Sequence, residues 1–130
     1  MTGRSTYADA LGLETEPGDG APVLRMPFAE TLVGRPGFLH GGAIAGLLEI
    51  AAVAALRHAL GPGDDARLTT ATVTVDYLRS GQPTETRATA HIVRLGRRVA
   101  NVSAEAWQED RARPIAAARV NILIARAGGS

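Results

Sequence analysis

The segment FLHGGAIAGLLEIAA, residues Phe38 to Ala52, places His40, Gly41, Gly42 and a single carboxylate, Glu49, in an otherwise small or apolar run. An acid on a solvent-facing helix would have polar neighbours three and four positions away. Those positions are Ala45, Gly46, Ala52 and Val53, so Glu49 is expected to be buried or in a cleft. A carboxylate taken out of water needs a compensating role. A poorly solvated carboxylate suits a nucleophile or a general base. A helix that starts at Gly-Gly presents unobstructed backbone N–H groups at the positive end of its dipole. Such donors suit an oxyanion that develops during a reaction. Each feature also has a structural reading: Glu49 paired to a buried arginine, the glycines permitting close helix packing, and His40 satisfied in a loop.

Composition narrows the classes. At 130 residues the chain is long enough for one domain with a real core. The absence of cysteine excludes disulfides, thiolate catalysis and Cys-ligated zinc. His40, His58 and His91 have no metal-ligand spacing, and neither a metal nor another cofactor is expected. A net charge of +1 argues against a general nucleic-acid binder. The N-terminal residues lack a basic start followed by an apolar stretch, so no signal peptide is expected. The apolar run Ala43 to Leu56 reads as too short and alanine-rich to span a bilayer. These readings together predict a soluble, cytoplasmic protein without membrane partners.

The elements that must position these residues follow from periodicity. Residues 1–22 form a turn-prone N-terminal segment, helical or disordered, and 23–130 a single domain. Val23 to Met26 is a short candidate strand. A helix runs from about Gly42 to Leu60 and stops at Gly61-Pro62-Gly63. The pattern then changes to period two. In RLTTATVTVDYL, Thr70, Thr72, Thr74 and Asp76 alternate with Ala71, Val73, Val75 and Tyr77. Strand-like runs follow over about Glu85 to Leu95, Arg98 to Gln108 and Ile115 to Arg126, joined by short turns as in an antiparallel meander. The helix is apolar around nearly its whole girth up to Arg57, so a strongly curved antiparallel sheet should wrap it. The class is α+β, and the remaining sheet edges invite a second subunit.

At this point GRPGFLHGGAIAGLLEIAAVAAL resembles the signature of hotdog-fold acyl-CoA thioesterases of the phenylacetate-degradation type. That family reads G-x-x-HGG-x-x-x-x-L-x-D/E, with Gly37, His40, Gly41, Gly42, Leu47 and Glu49 in the matching places. VTVDYLRS is similar to the family strand that ends in a leucine-arginine-proline step, with Ser80 replacing the proline. RLGRRVANVSAEAW is similar to its strand-turn-strand, and the likeness covers roughly residues 23 to 126.

The resemblance implies hydrolysis of an acyl-CoA thioester. The Gly41 amide would be the oxyanion donor, Glu49 the nucleophile or general base, and His40 a positioning group. Gly42, Tyr77 and the basic turn Arg94, Arg97 and Arg98 would be substrate-binding, guanidinium forks being suited to phosphate oxygens. Many relatives carry Asn or Gln six residues before the histidine, where this chain has Gly34. Some carry a hydroxyl residue four beyond the acid, where it has Val53. Three functions stand from this reading: a thioesterase, a non-catalytic acyl-CoA binding or sensing domain, and a hydratase or dehydratase on the same fold. Gly41 and Glu49 would stand about 12 Å apart along one helix, too far to serve one carbonyl. Two antiparallel helices would bring them together, which predicts a homodimer with shared sites, pairing again into a tetramer.

Overall fold

The computed structural model describes residues 12–18, 20–34 and 41–126. Its elements are β1 (Glu14–Glu16), β2 (Val23–Met26), a 3-10 turn (Glu30–Leu32), α1 (Gly41–Leu60), β3 (Arg67–Tyr77), β4 (Thr86–Leu95), β5 (Val99–Trp107) and β6 (Ala116–Ala125). All strands join one antiparallel sheet in the order β1-β2-β4-β5-β6-β3. One long helix packed on such a sheet is the hotdog arrangement.

The helix forms where the apolar run predicts, beginning one residue earlier. It ends because Gly61 adopts φ +90°, a left-handed conformation open to glycine, and its N–H caps the Arg57 carbonyl. At 20 residues it is long and apolar enough to cross a membrane, contrary to the expectation from the shorter apolar run, yet half of it is buried in the fold. Leu47, Leu48, Ala51, Ala52, Ala55 and Leu56 face the sheet. Beneath them lies a floor of cross-strand alanine pairs, among them Ala88 with Ala106 and Ala104 with Ala118. Beyond these the floor changes to Val102, Val120 and Ile122. Small side chains on the sheet leave room for the leucines of the helix, which are fully buried against them.

Two details depart from the sequence reading. The four long strands are not a simple meander: β4, β5 and β6 are, but β3 pairs with β6 at the far edge. The side of β4 that a hairpin would have used is occupied by β2. Leu78 and Arg79 both donate backbone N–H groups to the Ile115 carbonyl, which keeps the chain leaving β3 beside the start of β6. The strict alternation of β3 also fails, because a register shift falls between Thr70 and Thr72. Leu68 and Thr70 are half-buried before the bulge and Val73 and Val75 after it, so the extra residue reverses which parity faces inward.

The first strand lies within the stretch read as turn-prone. Its sequence, ETE, has no apolar alternation. It is held by charge: Arg25 pairs with Glu14 and Glu85, and Arg87 with Glu16 and Glu85. The sheet therefore begins before residue 23.

These pairs set an acid limit. The Arg25 guanidinium holds the Glu85 carboxyl below the usual carboxylate range, with Arg87 adding to it. Arg126 and the Ala66 N–H do the same for Asp64. Since folding lowers both values, the stabilisation is complete above the unfolded pKa values, roughly 4, and is lost as pH falls through the folded ones. Thermal melts across a pH series should show a flat Tm at neutral pH and a decline in acid, with the Asp64 share reduced to what the Ala66 N–H supplies in Arg126→Met. A Tm indifferent to acid down to about pH 2.5 would contradict this coupling.

Candidate active site

Glu49 lies on the helix face turned away from the sheet, with Ala45 and Val53 half-buried beside it and Gly42 exposed one turn further back. It is half-buried rather than enclosed, because the sheet covers one side of α1 and the described residues leave the other side uncovered. No ion pair or hydrogen bond to Glu49 is present among the described residues. The structural reading, an acid paired to a buried arginine, is thereby excluded among those residues.

Gly41 opens the helix, so its amide belongs to the first turn, where N–H groups have no intrahelical acceptor. Its carbonyl accepts a hydrogen bond from the Tyr77 hydroxyl at 2.9 Å. A Cβ at Gly41 would meet the Tyr77 ring at 3.5–3.6 Å, an ordinary contact. Tight packing against these neighbours therefore does not explain the glycine. The hydrogen bond ties the last residue of the edge strand β3 to the first turn of the helix. Nothing in the sequence announced this contact, since Tyr77 reads there as the end of an alternating strand and a substrate-binding candidate, not as a partner of Gly41.

The helix is continuous from Gly41 to Glu49, so the two groups are separated along its axis by about 12 Å, as expected. Within one chain they do not converge. Arg94, Arg97 and Arg98 are exposed at the β4–β5 turn. The pairing register runs from Tyr77 through Ala116 and Ala106 to Ala88 at one end of the sheet. At the other end it runs from Thr70 through Ile122 and Ala100 to Leu95. The basic turn thus lies at the end opposite Tyr77 and Gly41. His40 and Gly37 fall outside the described residues. Gly34, at the place where many relatives carry an amide side chain, is exposed, and Val53 is half-buried.

The family model of the thioesterase superfamily matches residues 36–115, the span that contains the glycine helix start, the lone acid and the edge strand. The chain belongs to the thioesterase superfamily. No curated protein matches it. Among solved structures, a conserved protein of Pseudomonas aeruginosa is 30% identical, with a TM-score of 0.83 over 93% of this chain and 94% of that one. A phenylacetic acid degradation-related protein of Ralstonia eutropha is 22% identical, with a TM-score of 0.80 over 92% and 90%. A Bacillus halodurans protein solved with CoA is 22% identical, with a TM-score of 0.82 over 95% and 81%. The last two likenesses speak to the fold. Membership in the thioesterase superfamily fits thioester hydrolysis as the general chemistry, and the site must be read for how this member does it.

Proposed function

We propose that the protein is an acyl-CoA thioesterase whose sites are shared between two subunits. The observation that carries this reading is Glu49, a carboxylate without a partner among the described residues, on a helix face that those residues leave uncovered. An antiparallel twofold arrangement of α1 helices sets Gly41 of one subunit opposite Glu49 of the other. The thioester carbonyl oxygen takes the Gly41 N–H as its oxyanion donor. Glu49 either attacks the carbonyl carbon, giving a mixed anhydride that water opens, or takes the proton from a water that attacks directly. In both routes the carbon–sulfur bond breaks, the thiol leaves with a proton, and the acid is released.

The long open edge of β3 supports the pairing, since an edge of eleven residues presents unpaired backbone groups that a second copy can satisfy. The dimers pair in turn, and exposed Val93, Val99 and Leu123 offer apolar surface for a second contact. The Bacillus halodurans relative solved with CoA supports coenzyme A as carrier. The second reading, a non-catalytic acyl-CoA binding domain, is favoured by Gly34 alone, which offers no amide to the site.

Thiol release from a panel of aromatic and medium-chain acyl-CoAs separates the two readings. Turnover dependent on the folded protein is expected, and tight binding of every member without release would leave only the binding domain. Tyr77 adds a finer expectation. Tyr77→Phe removes the hydroxyl from the Gly41 carbonyl but keeps the ring, so the helix start loosens while the binding surface stays. A misplaced catalytic group costs rate steeply, so kcat should fall on the order of tenfold with KM little changed. Amide exchange at residues 41–45 should quicken in the same variant. Unchanged exchange and unchanged kcat would remove Tyr77 from any positioning role.

A further inference from the structure

At the Tyr77 end of the sheet, the face turned away from the core carries a row of charge. The register sets Glu14 on β1 opposite Arg25 on β2, and Arg25 opposite Arg87 on β4. Their strand neighbours Leu24 and Ala88 are buried on the other face. Like charges directly opposite each other weaken a strand pair unless acids neutralise them. Three carboxylates do so here. Arg25 pairs with Glu14, with Glu16 at 3.6 Å and with Glu85 at 3.0 Å. Arg87 pairs with Glu16 at 3.1 Å and with Glu85 at 2.6 Å.

Two of these acids, Glu14 and Glu16, belong to β1, and little else fastens that strand. Within residues 12–18, Leu13 is the one buried side chain. Glu14 and Thr15 are exposed, and the strand has three residues in register with β2. A lone exposed ion pair would hold little. Here the alternative to pairing is two guanidiniums facing each other across β2 and β4, with Glu85 as their remaining acid among the described residues. Docked β1 thus both gains ion pairs and relieves a repulsion. The carboxylates are open enough to solvent for salt to reach them. The return into β2 is tight, since a Cβ at Gly18 would collide with the Ala21 carbonyl oxygen. A released β1 therefore stays tethered beside the edge it left.

We propose that β1 is an ion-held strap, released from β2 as a unit when its carboxylates are screened, while α1 and the other strands stay folded. Those elements rest on the apolar core, which salt does not screen. The sheet then has six strands in dilute salt and one fewer in concentrated salt, where the short edge of β2 is bared. Glu49 and the helix face that carries it take no part, so the strap stands or falls independently of the thioesterase reading.

The test is hydrogen exchange read by mass spectrometry on the full chain at neutral pH. It is run in about 0.1 M and about 1 M NaCl, a change that shortens the screening length from about 10 Å to about 3 Å. In the parent, exchange across residues 12–18 should quicken by about fivefold or more in the stronger salt, with segments of α1, β5 and β6 unchanged. Glu14→Gln/Glu16→Gln, shown to fold by circular dichroism, should exchange quickly across the same residues at both concentrations. No charge of β1 is left to screen in that variant, so it also corrects for any direct action of salt on exchange. Residues 23–26 should open further in it than in the parent, because Arg25 and Arg87 keep only Glu85 between them. Protection of 12–18 that is indifferent to salt, or strengthened by it, would assign the strand to Leu13 and its backbone bonds and overturn the proposal. So would parent-like protection in the double variant at low salt, or a loss that spreads equally through β5 and β6.

Discussion

Glu49→Gln should lose on the order of a hundredfold or more in kcat, the scale of a nucleophile or general base. The substitution is nearly isosteric, and the position is half-buried with no hydrogen-bond partner among the described residues to disturb. The fold should therefore survive, with Tm within a few degrees of the parent. KM should change little, because the amide still fills the same space beside the bound thioester. Steady-state kinetics on the best substrate of the panel read the effect. A kcat within about threefold of the parent would mean that the acid does not take part in the chemistry.

The second large effect is a recovery rather than a loss. Glu49→Ala and Gly41→Pro should each be inactive alone, the first lacking the carboxylate and the second the backbone N–H. If a site takes Gly41 from one subunit and Glu49 from the other, a hybrid dimer of the two variants has one intact site of its two. Random exchange makes half of all dimers hybrids, so mixing should restore on the order of a quarter of parental activity. Proline is tolerated at the first position of a helix, which favours a folded Gly41→Pro chain. Size-exclusion chromatography must show that both variants dimerise, and mass spectrometry of differently labelled chains that they exchange. Exchange without any return of activity would exclude the shared site.

Much of the architecture was legible before any coordinates. The helix could be placed because its apolar run is long and closed by Gly61-Pro62-Gly63, and β4, β5 and β6 because their alternation is bounded by turns. Strand order was not legible in the same way. The alternation in β3 says that it has two faces, but which neighbour it takes depends on β2 having filled the side of β4 and on Ile115 holding Leu78 and Arg79. Strand β1 was missed because charge, not hydrophobic patterning, holds it.

The site divides similarly. Gly41 and Glu49, the proposed catalytic pair, could be singled out by the type and spacing of their residues, and the family inferred from that motif is the one the superfamily match shows. The hydrogen bond from the Tyr77 hydroxyl to the Gly41 carbonyl was not visible, since the two residues are 36 positions apart and only the fold brings them together. Arg94, Arg97 and Arg98 could be picked out because they are neighbours in sequence around Gly96, and they are exposed at the β4–β5 turn.

If the proposed dimer pairs through it, the open edge of β3 has a consequence for any variant that disturbs that pairing. Its residues from Leu68 to Val75 carry no charge and no proline, and the bulge near Ala71 is the chief device along it that discourages indiscriminate strand addition. A chain deprived of its proper neighbour would therefore not persist as a quiet monomer. It would recruit whatever extended backbone it met, and such variants should first declare themselves as insoluble protein and shortened cellular lifetime, before any change in kinetic constants can be measured.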